Sequence, residues 1–111
     1  MTATEVDRLA HRVITEDDFP LAVEFLQSPQ TQRANAVWFV YKLLQRCSTH
    51  QAVFVSYLAN EFLPEGTPPG TVWLLRRYEY RMYQRLKLRQ GVDLCLRRYL
   101  ALSSEGRALV R

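Results

Sequence analysis

The stretch 71-TVWLLRRYEYRMYQRLKLRQGVDLCLRRYLAL-102 decides how the chain reads. At 3.6 residues per turn its first half sorts into two helical faces. Leu75, Tyr78, Met82 and Leu86, with Val72 and Leu74 at the border, form an apolar stripe. The opposite side carries Arg76, Arg77, Arg81, Gln84 and Lys87, with Trp73 and Tyr80 set among them seven residues apart. Thr71 is placed to cap this helix, and Gly91 reads as its C-terminal residue or as a kink. A continuation over 92–102 turns Val92, Leu96, Tyr99 and Cys95 inward, and Ser103-Ser104 breaks it before a frayed or disordered tail. Arginines and aromatics are the residues enriched where binding energy concentrates. Trp73, Arg76, Arg77, Tyr80, Arg81, Gln84 and Lys87 are therefore the candidate partner-binding residues. The plainer alternative packs Trp73 and Tyr80 on a neighbouring helix or on nearby prolines. Arg77, Arg81 and Arg85 would then only lay their stems over apolar surface.

Immediately upstream, Pro64-Glu-Gly-Thr-Pro-Pro-Gly70 is a true loop, since two glycines and three prolines in seven residues cannot continue a helix. It separates two halves of opposite charge. Residues 1–63 hold five Lys/Arg against seven Asp/Glu, and residues 64–111 hold ten against four. The net +4 is thus a −2 half joined to a +6 half. Such asymmetry suits an acidic partner, nucleic acid or another anionic surface for the second half. A solvated face paired with the chain's own acidic half is the alternative.

Further toward the N-terminus the breaks are helix signals. Thr2-Ala-Thr-Glu5 has capping-box spacing and opens a helix over about 3–13. Thr15-Glu-Asp-Asp18 offers acceptors to a second helix over about 18–27, with Pro20 tolerated in its first turn. Ser28-Pro29 reads as a hydroxyl cap followed by proline at the first helical position, starting a third helix that runs to about Cys47. Its middle, AVWFVYKLL, is apolar on almost every side, which places it at the centre of the fold. Thr49 caps a fourth helix over about 50–63, with Val53, Phe54, Tyr57, Leu58 and Phe62 along one face. The expected architecture is all-α: a single-domain bundle of five to six helices without a sheet. Ala34–Leu44 is its centre, with Leu75–Leu86 packed against it.

At 111 residues, 48% hydrophobic and 23% charged, the chain has the composition of one folded domain rather than of a disordered segment. No apolar run approaches the roughly 20 residues that span a bilayer. The opening MTATEVDRLAHRV lacks the apolar core of a signal peptide, so a cytoplasmic protein with reduced, buried Cys47 and Cys95 is expected. A Cys47–Cys95 disulfide is the lesser alternative.

Chemistry is sparse. Cys47-Ser-Thr-His50 has ligand types at short spacing, but a structural zinc site needs two paired clusters, and Cys95 and His11 stand apart in other helices. A Cys47–His50 thiolate–imidazole pair would need tertiary placement that sequence adjacency does not provide. No glycine-rich loop carries a Gly-Lys-Ser/Thr phosphate signature. The expectation is accordingly a non-enzyme with no metal and no cofactor.

Two functions remain. One is a small adaptor or accessory protein that docks a protein partner, or a second copy of itself, through the basic-aromatic face. The alternative is a nucleic-acid-binding protein using the Arg-rich 73–98 region, with arginines on phosphates and Trp73 and Tyr80 stacking on unpaired bases. Asp18-Phe-Pro-Leu-Ala-Val-Glu-Phe-Leu26, Arg33 and Ala36-Val-Trp-Phe39 resemble the opening of a family of small helical bacterial proteins of unknown function. That family is associated with type VI secretion gene neighbourhoods. Beyond Cys47 the chain is shorter and more basic than its pattern. The resemblance implies a non-enzymatic accessory protein of a bacterial cytoplasm and carries over no functional residues.

Overall fold

Helix signals dominate the sequence, and helices are what form. The computed structural model describes residues 1–101, apart from the side chains of residues 95, 96 and 98–101. Six α-helices lie among them: α1 (Ala3–Glu16), α2 (Phe19–Gln27), α3 (Arg33–Arg46), α4 (Ala52–Glu61), α5 (Pro69–Arg85) and α6 (Arg89–Ala101). A 3₁₀ turn, Thr49–Gln51, precedes α4. No strand occurs among the described residues, so the fold is all-α. The chain parts into two compact units between Glu65 and Gly66, inside the loop that the charge asymmetry marked. The expected inward set Cys95, Leu96 and Tyr99, and the tail after Ser103, lie outside the described side chains and residues.

In the first unit α1 starts at the anticipated capping box. Thr2 Oγ1 accepts from the Glu5 amide at 3.2 Å, and Glu5 Oε1 accepts from the Thr2 amide at 3.2 Å. The Thr2 backbone N–H, followed by its hydroxyl, holds the Glu5 carboxyl below its ordinary range. The helix outlasts the expected 3–13 by a turn, with an exposed Arg12–Glu16 pair at 2.8 Å on its last stretch. Asp17, in the left-handed region at φ 53°, then closes it, and the Asp18 amide reaches back to the Val13 carbonyl at 3.1 Å. Asp18 caps α2 through Oδ1, which accepts from the Leu21 amide at 3.2 Å. Two adjacent aspartates thus stop one helix and start the next.

The third helix begins at Arg33 and not at Ser28-Pro29. Ser28 instead ends α2, its amide donating to the Glu24 carbonyl at 3.1 Å, and its hydroxyl accepts from the Gln30 amide at 3.3 Å. Thr31 Oγ1 donates to the Phe25 carbonyl at 2.6 Å, which ties the turn back onto α2. Local side-chain hydrogen bonds outcompeted the helix start. From Arg33 onward, Ala36, Phe39, Val40, Leu43 and Leu44 are buried, and α3 packs on α1 through Val6, Ala10 and Val13 and on α4. The α3 surface is less uniform than AVWFVYKLL suggests. Trp38 stays partly exposed, its indole N–H donating to Asp7 at 2.7 Å and its ring lying 4.7 Å under the Lys42 ammonium.

The fourth helix is set differently from the expectation. Ser48, not Thr49, is the cap, and it caps the 3₁₀ turn. The face that α4 buries is Ala52, Val55, Ser56, Leu58 and Ala59. Val53, Phe54 and Tyr57, expected on the same side as Leu58, point outward.

In the second unit α5 begins two residues before Thr71, with Pro69 in its first turn, where a missing N–H costs nothing. It ends at Arg85 and does not continue to Gly91. Lys87 takes a left-handed φ of 58°, and the Leu88 amide donates to the Tyr83 carbonyl at 2.9 Å. The Lys87 amide donates to the Gln84 carbonyl at 3.1 Å, completing a Schellman stop. Gly91 is instead in the first turn of α6, which packs on α5. Its role is close approach: a Cβ there would collide with the Tyr83 ring.

Candidate functional site

The buried residues of α5 run Leu75, Arg76, Glu79, Met82 and Tyr83, one stripe at three- and four-residue spacing, with Trp73 also buried. Two of these are charged. Arg76 Nη1 lies 3.5 Å from Glu79 Oε1, and Glu79 is 0% exposed. This corrects two of the seven candidate docking residues: Trp73, 2% exposed, and Arg76, 8% exposed, are internal and cannot present an aromatic-basic ridge. Arg77, Arg81, Gln84 and Lys87 are exposed, and Tyr80 is half-buried with its hydroxyl accepting from Gln84 Nε2 at 3.1 Å. Arg81 also lies over the Tyr78 ring, 5.9 Å from its centroid. What the sequence grouped as one face is therefore divided between an interior ion pair and a polar, basic exterior. Replacing Trp73 by Ala is expected to cost about 3–5 kcal/mol of stability, the usual range for emptying a buried aromatic site. A chemical melt distinguishes this from a surface role, which would leave the midpoint in place.

The first unit holds an apolar concavity. An open groove of about 840 Å³ runs between α2 and α4. Phe19, Pro20 and Val23 line it from α2, and Val53, Phe54 and Tyr57 from α4. Val53 is 71% exposed, Phe54 56% and Tyr57 54%. Phe19 and Phe54 stack with ring centroids 5.0 Å apart, and Tyr57 meets Phe62 edge-on at 5.5 Å. These rings brace one another from α2, α4 and the residue after α4.

A polar cluster fixes where α4 starts. Gln51, buried, donates through Nε2 to the Ile14 carbonyl at 2.8 Å and to Asp17 Oδ1, and its Oε1 accepts from the Ser48 amide at 3.0 Å. His50 reaches Asp17 Oδ2 at 3.2 Å through Nε2 and Ser48 Oγ at 2.9 Å through Nδ1. The Gln51 amide first, and His50 second, hold the Asp17 carboxyl below its ordinary value of 3.8. Both ring nitrogens of His50 are thereby engaged by Asp17 and Ser48 and not by Cys47, which is buried. Among the described residues, no three His, Cys, Asp or Glu side chains converge on a metal-sized site.

Electrostatics follow directly from sequence. Neither α2 nor α4 carries a lysine or arginine, while Glu24 lines the groove, Asp18 caps α2 and Glu61 is the last residue of α4. Gln27 supplies an amide on its wall. Periodicity missed this site because α4 is apolar on two sides, and only packing shows which one is left outside. The architecture is thus an all-α fold with a surface groove and, among the described residues, no helix long and apolar enough to cross a membrane. No protein-family model, curated protein or solved structure matches the chain.

Proposed function

We propose that the protein is a non-enzymatic interaction module, an adaptor or accessory protein that docks a protein partner in the α2–α4 groove. The observation that carries this reading is the outward turn of Val53, Phe54 and Tyr57, three large apolar side chains contiguous with Phe19 and Val23. A cluster of exposed apolar surface on two helices, with the Glu24 carboxylate and the Gln27 amide at its side, has the anatomy of an interface core with a polar rim. The aromatic members are the types that serve as anchors.

A photo-crosslinking amino acid at position 54, and separately at position 77, tests it in native extract. The expected result is a discrete adduct from position 54 whose partner, once purified, binds the unmodified chain at least about tenfold more tightly than a Phe54→Ala chain. An adduct from position 77 alone would move the interface to α5.

A second reading has its own support. Arg77, Arg81, Arg85, Lys87, Arg89 and Arg97 are exposed in the second unit, and among its described residues Asp93 is the exposed carboxylate. Such a face suits a polyanion, and nucleic-acid binding through it would weaken steeply with added salt. Anisotropy of labelled single-stranded DNA, duplex DNA and RNA at two salt concentrations decides it.

A further inference from the structure

We infer that the occupant of the α2–α4 groove is an amphipathic helix with apolar anchors on one face and lysine or arginine on its flanks. This rests on the reading of the groove as a docking site and adds the chemistry of what docks there. The walls are helices of nine and ten residues, roughly 14–15 Å long at 1.5 Å per residue, enough for about three helical turns of a partner. Anchors at i, i+3 or i+4, and i+7 span about 10.5 Å, which fits within that length.

Backbone chemistry selects a helix over an extended segment. An extended strand brings a row of carbonyls and amides that pairing with a receptor strand edge would satisfy, whereas a polyproline segment keeps its backbone in water. No strand edge exists among the described residues to pair with an extended strand. Of the side chains that line the groove, only the Tyr57 hydroxyl, the Gln27 amide and the Glu24 carboxylate are polar. The stacked Phe19–Phe54 pair also leaves no slot between the two rings for a proline to enter. A helix satisfies its own backbone and needs only apolar contact.

Charge selects the flanks. Every formal charge on α2, on α4 and on the α2 cap is negative: Asp18, Glu24 and Glu61. A partner bearing Lys or Arg beside its apolar face gains from Glu24 on the groove wall and from the negative charge at the α2 cap and the end of α4, and one bearing Glu is repelled. The same charges argue against a second copy seated groove to groove, since that would bring two carboxylate-bearing faces together.

Three labelled peptides of about fourteen residues probe this on the full chain by anisotropy. One is a Leu/Phe-anchored amphipathic helix with Lys and Arg flanks. The second carries Glu at the flanking positions, and the third has prolines between the anchors. The expected result is binding of the first, weakened at least about tenfold by Glu flanks, by proline, and by Phe54→Ala in the protein. Circular dichroism of Phe54→Ala checks that the fold is kept, and Val53→Ser supplies a second groove variant. Equal binding of the Glu peptide overturns the basic preference, and equal binding of the proline peptide overturns the helix, while both leave groove docking standing. A dimer in sedimentation that is lost on Phe54→Ala assigns the groove to a second copy and overturns the inference. If no peptide binds, the inference fails, and the position-54 adduct separately decides whether the docking reading fails with it.

Discussion

Helices α4 and α5 dispose of their side chains in opposite ways. In α4 the bulky apolar residues Val53, Phe54 and Tyr57 face out, while the buried set includes Ala52, Ser56 and Ala59. In α5 two full charges, Arg76 and Glu79, face in, beside Trp73 and Met82. The contrast teaches that hydrophobicity does not choose the inward face by itself. Val55 and Leu58, with the small Ala52, Ser56 and Ala59 beside them, pack α4 against its unit, and that packing leaves two aromatic rings on the outer side. A buried pair in α5 is tolerable because each charge neutralises the other, although the desolvation of both makes it a weak source of net stability.

The largest way to break this contrast is at Glu79. Glu79→Ala leaves Arg76 buried without that carboxylate and is expected to destabilise by about 3–5 kcal/mol. Pairing it with Arg76→Met should recover part of the loss, because it removes the buried charge that lost its carboxylate, while the space left by Glu79→Ala still costs packing. Urea melts of the two singles and the double measure the coupling, and additive losses would show that the pair does not act as a unit. Next in size is Gly91→Ala, expected to cost about 1–3 kcal/mol through overpacking against the Tyr83 ring. Tyr83→Leu should lessen that penalty if the ring is its cause, which the same melts would show.

On the other side of the contrast, Phe54→Ala is expected to change stability by no more than about 1 kcal/mol, limited to its stack on Phe19. A much larger loss would mean that the ring is structural and the groove is not a free surface.

The smallest effect concerns pH. Asp17 has its folded carboxyl held below 3.8, so it contributes stability that is present above the unfolded value and lost as pH falls through the lower folded value. Asp17→Asn keeps a residue that tolerates the left-handed region and removes this titration. Its melting temperature should be lower at neutral pH and fall less steeply on acidification. Glu5, also lowered, retains its own share of the acid limb. An unchanged limb in the Asn variant would remove Asp17 from it.

Much of the helical layout was legible in the chain. The Thr2–Glu5 capping box, the Asp17–Asp18 break and the Pro64–Gly70 loop are local devices, and local hydrogen bonding or fixed φ is enough to make them. The errors fall where two local devices competed. Ser28-Pro29 could have capped a helix, but Ser28 and Thr31 closed the turn onto α2. Gly91 could have ended α5, but Lys87 took the left-handed position, leaving Gly91 to give room to Tyr83. The division between exposed and buried side chains was the least legible part. Trp73 and Arg76 have the composition of an exposed hot spot and are buried, while Phe54 and Tyr57 have the composition of a core and are exposed.

By itself, then, the sequence determined that this chain is helical, where α1 and α2 start, and that its acidic and basic halves part at the proline loop. Those features depend on residues within a few positions of one another. Only the tertiary structure decided which side of each helix is inside. Burial is settled by the shape and charge of neighbours far away in the chain, and a helix with two apolar sides, or a charged pair that neutralises itself, carries no local signal of the outcome.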